Sequence, residues 1–231
     1  MVVLDLIDKI LQVFKKHGLF DEGVELIGSW SFLFYQKHLG APQFPLRTQD
    51  IDFLIPNPFK GKEHYGFIEE LMVLGFQKGF RRDGSVYLYS AELLIEFITP
   101  EKGKGVEEAI PIKKLGLKAI PLRFVSLLLD NPRSIKENGM EVLVPNPLNF
   151  CLHKLIIASR RRKPEKAIKD LQQALYTSAI VDKRELVKLF ESLPKPWQKS
   201  IVNVLNKSID LLPLEIDYIE PLKITLQIPK K

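Results

Sequence analysis

Residues 47–53 read RTQDIDF, and this stretch decides the fold that the sequence predicts. From Asp50 to Ile55 polar and apolar residues alternate at first, and the run then becomes wholly apolar until Pro56. Alternation with a period of two is typical of a β-strand that has one face in the core. The pattern therefore predicts a central strand whose first half points into a cleft.

Asp50 and Asp52 lie on the same side of this predicted strand, because side chains alternate along it. Ile51, Phe53 and Ile55 face the other way. The two aspartates are about 6–7 Å apart at the backbone, so their oxygens can share a hard cation such as magnesium. Without a cation the neighbouring carboxylates repel each other. The pair therefore predicts a metal site, although Asp-x-Asp also occurs by chance at strand ends and in turns.

The segments around this strand predict a mixed β-sheet with flanking helices. Hydrophobic periodicity predicts helices at residues 4–17, 30–39 and 64–74, and strands at 24–27, 76–80, 86–89 and 93–99. Turn signals occur at Asp83-Gly84 and Asn138-Gly139, residues 100–122 are typical of a peripheral connection, and strand-like pieces follow near 119–129 and 140–144. This order of elements predicts an α+β or α/β domain over residues 1–146.

From Pro147 onward the pattern changes to helical spacing. Helices are predicted at residues 148–161, 165–176, 183–192 and 196–211, separated by prolines and polar stretches. We therefore expect a mainly helical C-terminal domain over residues 147–231. The tail at residues 214–228 contains β-branched residues and proline, and is predicted to pack as an extended segment.

The composition of the chain excludes several classes of protein. Its 231 residues are 45% hydrophobic, which is ample material for a core. The single cysteine, Cys151, cannot form an internal disulfide, and four scattered histidines give no zinc pattern. No apolar run reaches the roughly 18–20 residues of a membrane span, so we expect a cytoplasmic protein with no membrane partner. The net charge of +6 favours an anionic partner, which can be NTP, RNA or an acidic protein.

Three other features can complete a site around the aspartates. At Gly28-Ser29 the glycine lets the backbone approach a ligand, and the serine can cap a helix and bind phosphate; the alternative is an ordinary turn. Glu96 lies in an apolar strand, where a carboxylate is costly unless it is metal-bound, paired with a lysine or able to escape to solvent. In Arg47-Thr48 the arginine can contact a triphosphate or remain on the surface, and the threonine can fix the entering loop.

The order and spacing of these motifs resemble the DNA polymerase β-like nucleotidyltransferase superfamily. The motifs are Ile27-Gly28-Ser29, the run at residues 47–53, and Ile95-Glu96-Phe97 on a later strand. The 47–53 run and a later helix with a lysine are similar to the AbiEii-type and related uncharacterised bacterial and archaeal nucleotidyltransferases.

This resemblance implies a role for each motif. Gly28 and Ser29 would bind the phosphates of an NTP, and Asp50 and Asp52 would bind two Mg²⁺ ions, or Mn²⁺ in their place. Glu96 would be the third metal-binding carboxylate and would help to activate the attacking hydroxyl. The third acid is often aspartate in this superfamily, so the longer glutamate would shift the metal unless the strand compensates.

The helical region adds Lys154, which can reach the triphosphate as a point charge while Asp170 orients it. The alternative is that both residues face solvent on amphipathic helices. His153 is predicted to be a packing or surface residue. The basic run at 160–163 can bind RNA or an acidic partner, or it can simply favour the helix dipole.

Aromatic residues form two groups in the sequence. Trp30, Phe32, Phe34 and Tyr35 are predicted to lie in the core. Tyr87 and Tyr89 alternate on a strand and can line the cleft.

Three functions are consistent with these features. The first is a magnesium-dependent nucleotidyltransferase that moves NMP from an NTP to a hydroxyl of RNA, protein or a small molecule. The second is a degenerate domain of the same fold that binds nucleotide or a partner without turnover. In the third, the acids make only structural salt bridges and the basic helices form an interaction module. Because the superfamily includes toxins of toxin–antitoxin pairs, an antitoxin-like partner is also possible.

Overall fold

The computed structural model describes residues 2–45, 48–101, 103 and 108–229. The chain divides into two compact units. The first consists of Met1–Ser31 and Leu46–Pro145, and the second of Phe32–Pro45 and Asn146–Lys231. The second unit therefore takes a short segment from the N-terminal half of the chain.

The first unit contains a mixed sheet, helices and a separate hairpin. Its helices are α1 (Val2–Lys16), the start of α2 (Gly28–His38) and α3 (Phe67–Val73), and its strands are β1 (Glu25–Ile27), β2 (Asp50–Leu54), β3 (Gln77–Phe80), β4 (Val86–Tyr89), β5 (Leu94–Pro100), β6 (Ile110–Ile112), β7 (Leu117–Leu122), β8 (Arg133–Glu137) and β9 (Met140–Val144). Short 3-10 turns follow β6 and β7. The prediction of a mixed sheet with flanking helices is confirmed.

The sheet has the strand order β1-β2-β5-β4-β3. Strands β2 and β5 run parallel, whereas β1 against β2, β4 against β5 and β3 against β4 are antiparallel. Strand β7 runs parallel to the last residues of β5, and β6 pairs with β7. Residues 100–122, predicted as a peripheral connection, thus contribute two strands. The strand-like piece at 119–129 is correct only in its first part, because residues 125–129 form a 3-10 turn.

One face of β2 forms the centre of the core. Ile51 and Phe53 are fully buried, as the alternating pattern predicts. The centre of the Phe53 ring lies 3.6 Å from the centre of the Phe14 ring on α1. Phe97, which is paired with Phe53 on β5, and Phe67 on α3 complete this aromatic cluster. Because one face of β2 is held by this packing, the opposite face can carry polar side chains at fixed positions.

The hairpin predicted at Asp83-Gly84 and the turn predicted at Asn138-Gly139 are both present, and the strand before the second turn, β8, was not predicted. Strands β3 and β4 are joined through Asp83 and Gly84, where Asp83 accepts hydrogen bonds from the backbone and the hydroxyl of Ser85. Strands β8 and β9 are joined by Asn138-Gly139, and both residues have positive φ angles, of 46° and 79°. Two successive positive φ angles are what a two-residue turn between antiparallel strands requires.

The second unit is helical, as the spacing after Pro147 predicts. Its helices are the rest of α2, α4 (Pro147–Ala158), α5 (Pro164–Ser178), α6 (Lys183–Ser192), α7 (Lys195–Leu211) and α8 (Ile216–Thr225). The side chain of Asn146 caps α4, and that of Asp182 caps α6. Phe32 and Tyr35 of α2 are buried and contact the ring of Phe150 on α4. Within the described residues, no helix has the length and hydropathy needed to cross a membrane.

The predicted extended tail is wrong, because residues 216–225 form helix α8. β-branched residues and Pro221 disfavour a helix locally, and proline cannot donate its backbone hydrogen bond. However, Ile219, Leu222 and Leu226 recur at helical spacing and all three are buried. Burial of this apolar stripe outweighs the weak local preference.

Glu25 on β1 is a buried carboxyl group with an unusual environment. Its Oε2 atom has no hydrogen-bond partner among the described residues. Burial, with a smaller contribution from Asp130, raises the pKa of Glu25 from 4.5 to about 9. The folded protein therefore keeps this proton up to about pH 9, whereas the unfolded chain loses it above about pH 4.5. The contribution of protonated Glu25 to the free energy of unfolding should consequently be fully present below pH 4.5 and be lost as pH rises towards about 9.

We expect Glu25→Gln to remove this pH-dependent loss, because glutamine cannot ionise. At pH 7 the variant should gain free energy of unfolding on the order of 3 kcal/mol relative to wild type. Urea unfolding at pH 5 and pH 8 measures the effect. Glu141→Gln, an exposed change on β9, is the control. A wild type and a Glu25→Gln variant that lose stability equally between the two pH values would show that Glu25 ionises normally in the fold.

Candidate active site

The three predicted acids lie on one face of the sheet. Strand register pairs Asp52 with Glu96 across the parallel strands β2 and β5, and Asp50 is two residues before Asp52. Paired residues on neighbouring strands point to the same face, with backbones about 5 Å apart. The acids therefore occupy adjacent positions of two strands, and all three are partly exposed. Their backs are covered by the aromatic core on the other face of β2.

The start of α2 approaches the same carboxylate. Ile27, the last residue of β1, pairs with Asp52, and Gly28 begins the helix directly afterwards. Gly28 has a φ angle of 70°, and a Cβ atom at this position would collide with Oδ2 of Asp52. Both the backbone angle and the close approach therefore require glycine. The first turn of α2 is thus placed against the acid face of the sheet.

The predicted phosphate site also includes Ser29, Thr48 and Arg47. Ser29 is buried on the first turn of α2, next to Gly28. The Thr48 hydroxyl donates to the backbone oxygen of Asp50, 3.2 Å away, so threonine holds the chain as it enters β2. Arg47 lies outside the described residues.

Glu96 is paired with an arginine that sequence reasoning did not single out. Nη2 of Arg81, which follows β3, donates a hydrogen bond to Oε1 of Glu96. The Arg81 guanidinium also lies over the ring of Tyr87, 4.9 Å from its centre. Tyr87 on β4 is the register partner of Glu96, and Gly79 on β3 is the register partner of Tyr87. A side chain at Gly79 would collide with the Tyr87 ring, so glycine lets the ring lie against the sheet.

These contacts determine the arrangement of the acids in this conformation. Across the part of the chain that the structure describes, no three His, Cys, Asp or Glu side chains are grouped so that they can hold a metal ion. The backbone positions of Asp50, Asp52 and Glu96 place them side by side, but the Glu96 carboxylate is turned towards Arg81. A salt bridge was one of the alternatives for Glu96, and the partner is arginine rather than lysine.

Lys154 forms a buried ion pair in the second unit. Its Nζ atom is 2.7 Å from Oδ1 of Asp170 on α5, and each side chain is only 5% exposed. The alternative that both residues face solvent is therefore wrong. Arg161 is 2.7 Å from the other Asp170 oxygen, so this member of the basic run at 160–163 is engaged within the unit. Burial alone would raise the pKa of Asp170, but the attraction of Lys154 and Arg161 outweighs it and lowers that pKa.

His153, the neighbour of Lys154, is buried, which agrees with a packing role. Neither ring nitrogen has a hydrogen-bond partner among the described residues. Burial and the charge of Lys154 lower the pKa of His153 to about 3, so the ring is neutral near pH 7. With so low a pKa, the imidazole of His153 is too weak a base to hold a proton near neutral pH.

Arg81 is a residue of this face that the sequence pattern did not predict. It follows a short exposed strand and precedes a second arginine, Arg82, so its local pattern is that of a solvated hairpin. Its relation to Glu96 depends on the pairing of β3 with β4 and of β4 with β5. The nearest sequence signal was the alternation of Tyr87 and Tyr89, which indicated that these side chains can line the cleft but did not indicate Arg81.

A search of curated proteins finds no match. The crystal structure of an antigenic nucleotidyltransferase-like protein from Paracoccidioides brasiliensis matches 98% of this chain and 93% of its own, with 12% identity and a TM-score of 0.51. That identity shows a shared fold alone. The antibiotic-resistance factor ANT(2'')-Ia matches 81% of this chain and 88% of its own at 14% identity, and its TM-score of 0.44 is too low to carry an argument.

A family comparison is more decisive than these structural likenesses. The model of a family described as nucleotidyltransferase matches residues 6–198, which include the acid face, α2 and most of the helical unit. The match thus covers most of the sequence and is not limited to three short motifs. The chain belongs to this nucleotidyltransferase family.

Proposed function

We propose that the protein is a divalent-metal-dependent nucleotidyltransferase that moves NMP from an NTP to a hydroxyl group of an acceptor. The observation that carries this proposal is the register of β2 and β5, which sets Asp52 beside Glu96 with Asp50 on the same face. Carboxylate oxygens are the ligands that Mg²⁺ and Mn²⁺ prefer. A bound metal would neutralise the triphosphate and lower the pKa of an attacking hydroxyl.

The residues around the acids have defined tasks in this proposal. Gly28 and Ser29 lie at the first turn of α2, and because the start of a helix favours phosphate, these residues would bind the NTP phosphates. Asp50 and Asp52 would hold the metal and align the α-phosphate, and Thr48 keeps the chain before them in place. Glu96 would accept the proton of the acceptor hydroxyl. Phosphoryl-type transfer depends mainly on alignment and charge neutralisation, so no covalent enzyme intermediate is needed.

Arg47 and Lys154 are the other two residues of the predicted NTP site. Arg47 would contact the triphosphate as the resemblance implies. Lys154 forms an ion pair with Asp170, so it would contact the triphosphate only if it broke this pair or bound both groups at once. The assignment to the AbiEii-type branch, and with it an antitoxin-like partner, stays a prediction.

The pairing of Arg81 with Glu96 favours a second candidate function. If Glu96 stays with Arg81, only two carboxylates remain for a metal, and the domain would bind nucleotide without turnover. The two functions differ in one measurable respect. A degenerate domain binds NTP and transfers nothing, whereas an enzyme consumes NTP and labels an acceptor.

The experiment that tests the proposal is transfer from each α-labelled NTP, with Mg²⁺, to a mixed pool of RNA, protein and small-molecule acceptors. We expect a labelled product that is lost when EDTA removes the metal, because two acidic side chains and a triphosphate then have no neutralising cation. NTP binding is measured in parallel. Binding without labelling of any acceptor class would favour the degenerate module instead.

Gly28→Ala tests the contact between α2 and Asp52. The added Cβ would displace the Asp52 carboxylate, and a misplacement of about 1 Å costs on the order of 100-fold in rate. We therefore expect kcat/KM for transfer to fall by about that factor. The matched control is Gly18→Ala, because Gly18 also has a φ angle of 70° but no atom lies within 4 Å of a Cβ there. If both variants retain equal activity per folded molecule, the contact with Asp52 is unimportant.

A further inference from the structure

The face of the sheet opposite the acids carries a depression of its own. Phe80 on β3 is the register partner of Val86 on β4, whereas the next residue of β4, Tyr87, is the partner of Glu96. Because side chains alternate along a strand, Phe80 and Val86 lie on the face away from Glu96. Lys78, two residues before Phe80, lies on this same face. The surface is therefore separate from the proposed transfer site.

The depression lies between the β3–β4 hairpin and the segment from β6 to β7. It has a volume of about 410 Å³ and is open to solvent. The hairpin contributes Lys78, Phe80 and Val86 to the lining, and the β6–β7 segment contributes Lys113, Leu117 and Lys118. Ligand sites of proteins have volumes of roughly 300–1,000 Å³, so the depression can take a small molecule.

The base of the depression is apolar, and an exposed ring lies beside it. Val86 and Leu117 are buried. Phe80 is 65% exposed, although large apolar side chains of this kind are usually buried. A flat, aromatic ligand can stack on such a ring and cover the apolar surface next to it.

Three exposed lysines surround this apolar surface, one each from β3, the 3-10 turn after β6, and β7. Nζ of Lys78 lies 5.5 Å from the centre of the Phe80 ring, and Nζ of Lys118 lies 3.7 Å from the place of a Cβ atom at Gly84. No carboxylate of the described residues forms an ion pair with Lys78, Lys113 or Lys118. Because lysine binds phosphate as a point charge, the three ammonium groups fit a polyphosphate.

A neighbouring depression limits the length of an anionic ligand. It has a volume of about 270 Å³ and shares Lys78 and Lys113 with the first one, but Glu63 and Glu69 also line it. These carboxylates repel the phosphates of a strand that continues beyond the first depression. The charges thus favour a compact polyanion over a nucleic acid.

We propose that the depression at Phe80 is a second nucleotide site, which takes a nucleoside triphosphate with its base on Phe80 and its phosphates among the three lysines. The NTP of the proposed function binds on the acid face, so the two sites are on opposite faces of one sheet. The inference goes beyond the proposed function, because this binding requires neither a metal nor transfer.

Binding of fluorescently labelled ATP in the presence of EDTA tests the proposal. Without a divalent cation the acids on the other face repel a triphosphate, whereas the lysines need no metal. Fluorescence anisotropy of the full-length protein gives Kd. Phe80→Ala should raise Kd at least about fivefold, because one stacking contact is lost. Lys78→Gln combined with Lys118→Gln should also raise it at least about fivefold, because two charge contacts with phosphate are lost.

Arg133→Gln combined with Lys136→Gln is the matched control, because it removes two exposed positive charges from β8 and should leave Kd unchanged. Inorganic tripolyphosphate should displace labelled ATP, and its own Kd should rise in the lysine variant but not in Phe80→Ala, because it has no base to stack.

ATP binding with the expected losses in both variants supports the second site. No binding of ATP in EDTA, or equal Kd values in all variants, overturns it. A single strand of about 12 nucleotides that displaces labelled ATP at a roughly tenfold lower concentration than ATP itself also overturns it, because the surface would then bind nucleic acid.

This result is independent of whether the protein transfers nucleotides. If wild type labels an acceptor but Phe80→Ala binds ATP in EDTA as tightly as wild type, the proposed function stands and the second site is wrong. If ATP binds in EDTA as expected but no acceptor is labelled when Mg²⁺ is supplied, the second site stands and the proposed function fails.

Discussion

Replacement of both Asp50 and Asp52 by asparagine is expected to lower nucleotidyl transfer by at least about a thousandfold. The physical reason is the loss of charge at one spot. Asparagine keeps the shape of each side chain but removes two negative charges that would hold a divalent cation against the triphosphate. Both side chains are partly exposed on a strand whose other face is packed, so the substitutions leave the core unchanged. The measurement is kcat/KM for transfer from a labelled NTP.

The control for this prediction is an acidic residue away from the sheet face. Asp21 is 65% exposed and pairs with Lys15 on the surface, so Asp21→Asn should leave transfer unchanged. Unfolding curves of all variants show that they fold equally well. Labelling by the double variant at the wild-type rate would remove Asp50 and Asp52 from the reaction.

Asp170→Asn is expected to give the largest loss of stability, about 3–5 kcal/mol of the free energy of unfolding. The substitution leaves the Lys154 ammonium buried without a negative partner, and an unpaired buried charge is costly. Arg161 also loses its carboxylate, although its side chain is 41% exposed and can turn to water. Urea unfolding at pH 7 measures the change.

The pH dependence gives a second readout of the same ion pair. Because the pKa of Asp170 is lowered by Lys154 and Arg161, its stabilisation is fully present above the ordinary value of 3.8 and is lost as pH falls through the lowered one. When the pH is lowered below 3.8, the free energy of unfolding should therefore fall less in Asp170→Asn than in wild type. Glu185→Gln is the control, because Glu185 and Lys188 form a surface pair with side chains 54% and 71% exposed. We expect its effect to be within about 1 kcal/mol. If both substitutions cost the same, the buried pair contributes no more than a surface pair.

The sequence of the first unit predicted its elements well because local signals agreed with the tertiary structure. Polar and apolar residues alternate along β2 at Asp50, Ile51, Asp52 and Phe53. This pattern is typical of a strand that has one face packed in the core. The signals at Asp83-Gly84 and Asn138-Gly139 predicted a hairpin and a turn for the same reason, although strand β8 before the second turn was not predicted. The tail failed because Pro221 and β-branched residues carry only a weak local preference, which burial of Ile219 and Leu222 overrides.

The polar contacts were harder to predict because they join distant parts of the chain. Nothing near Glu96 in the sequence indicates Arg81, which reaches it through two strand pairings. Lys154 and Asp170 were singled out together, but their burial depends on how α4 packs on α5. Helical periodicity shows which residues share a face and does not show what covers that face.

The sequence by itself determined the face of β2 on which Asp50 and Asp52 lie, because a period of two leaves no choice once Ile51 and Phe53 are buried. It also determined that Glu96 lies on a strand. Only the tertiary structure decided that Glu96 pairs with Asp52 in register, that Gly28 meets Asp52, and that Arg81 holds the Glu96 carboxylate. The physical reason is that alternation acts within a strand, whereas register, close approach and ion pairing depend on which strands become neighbours.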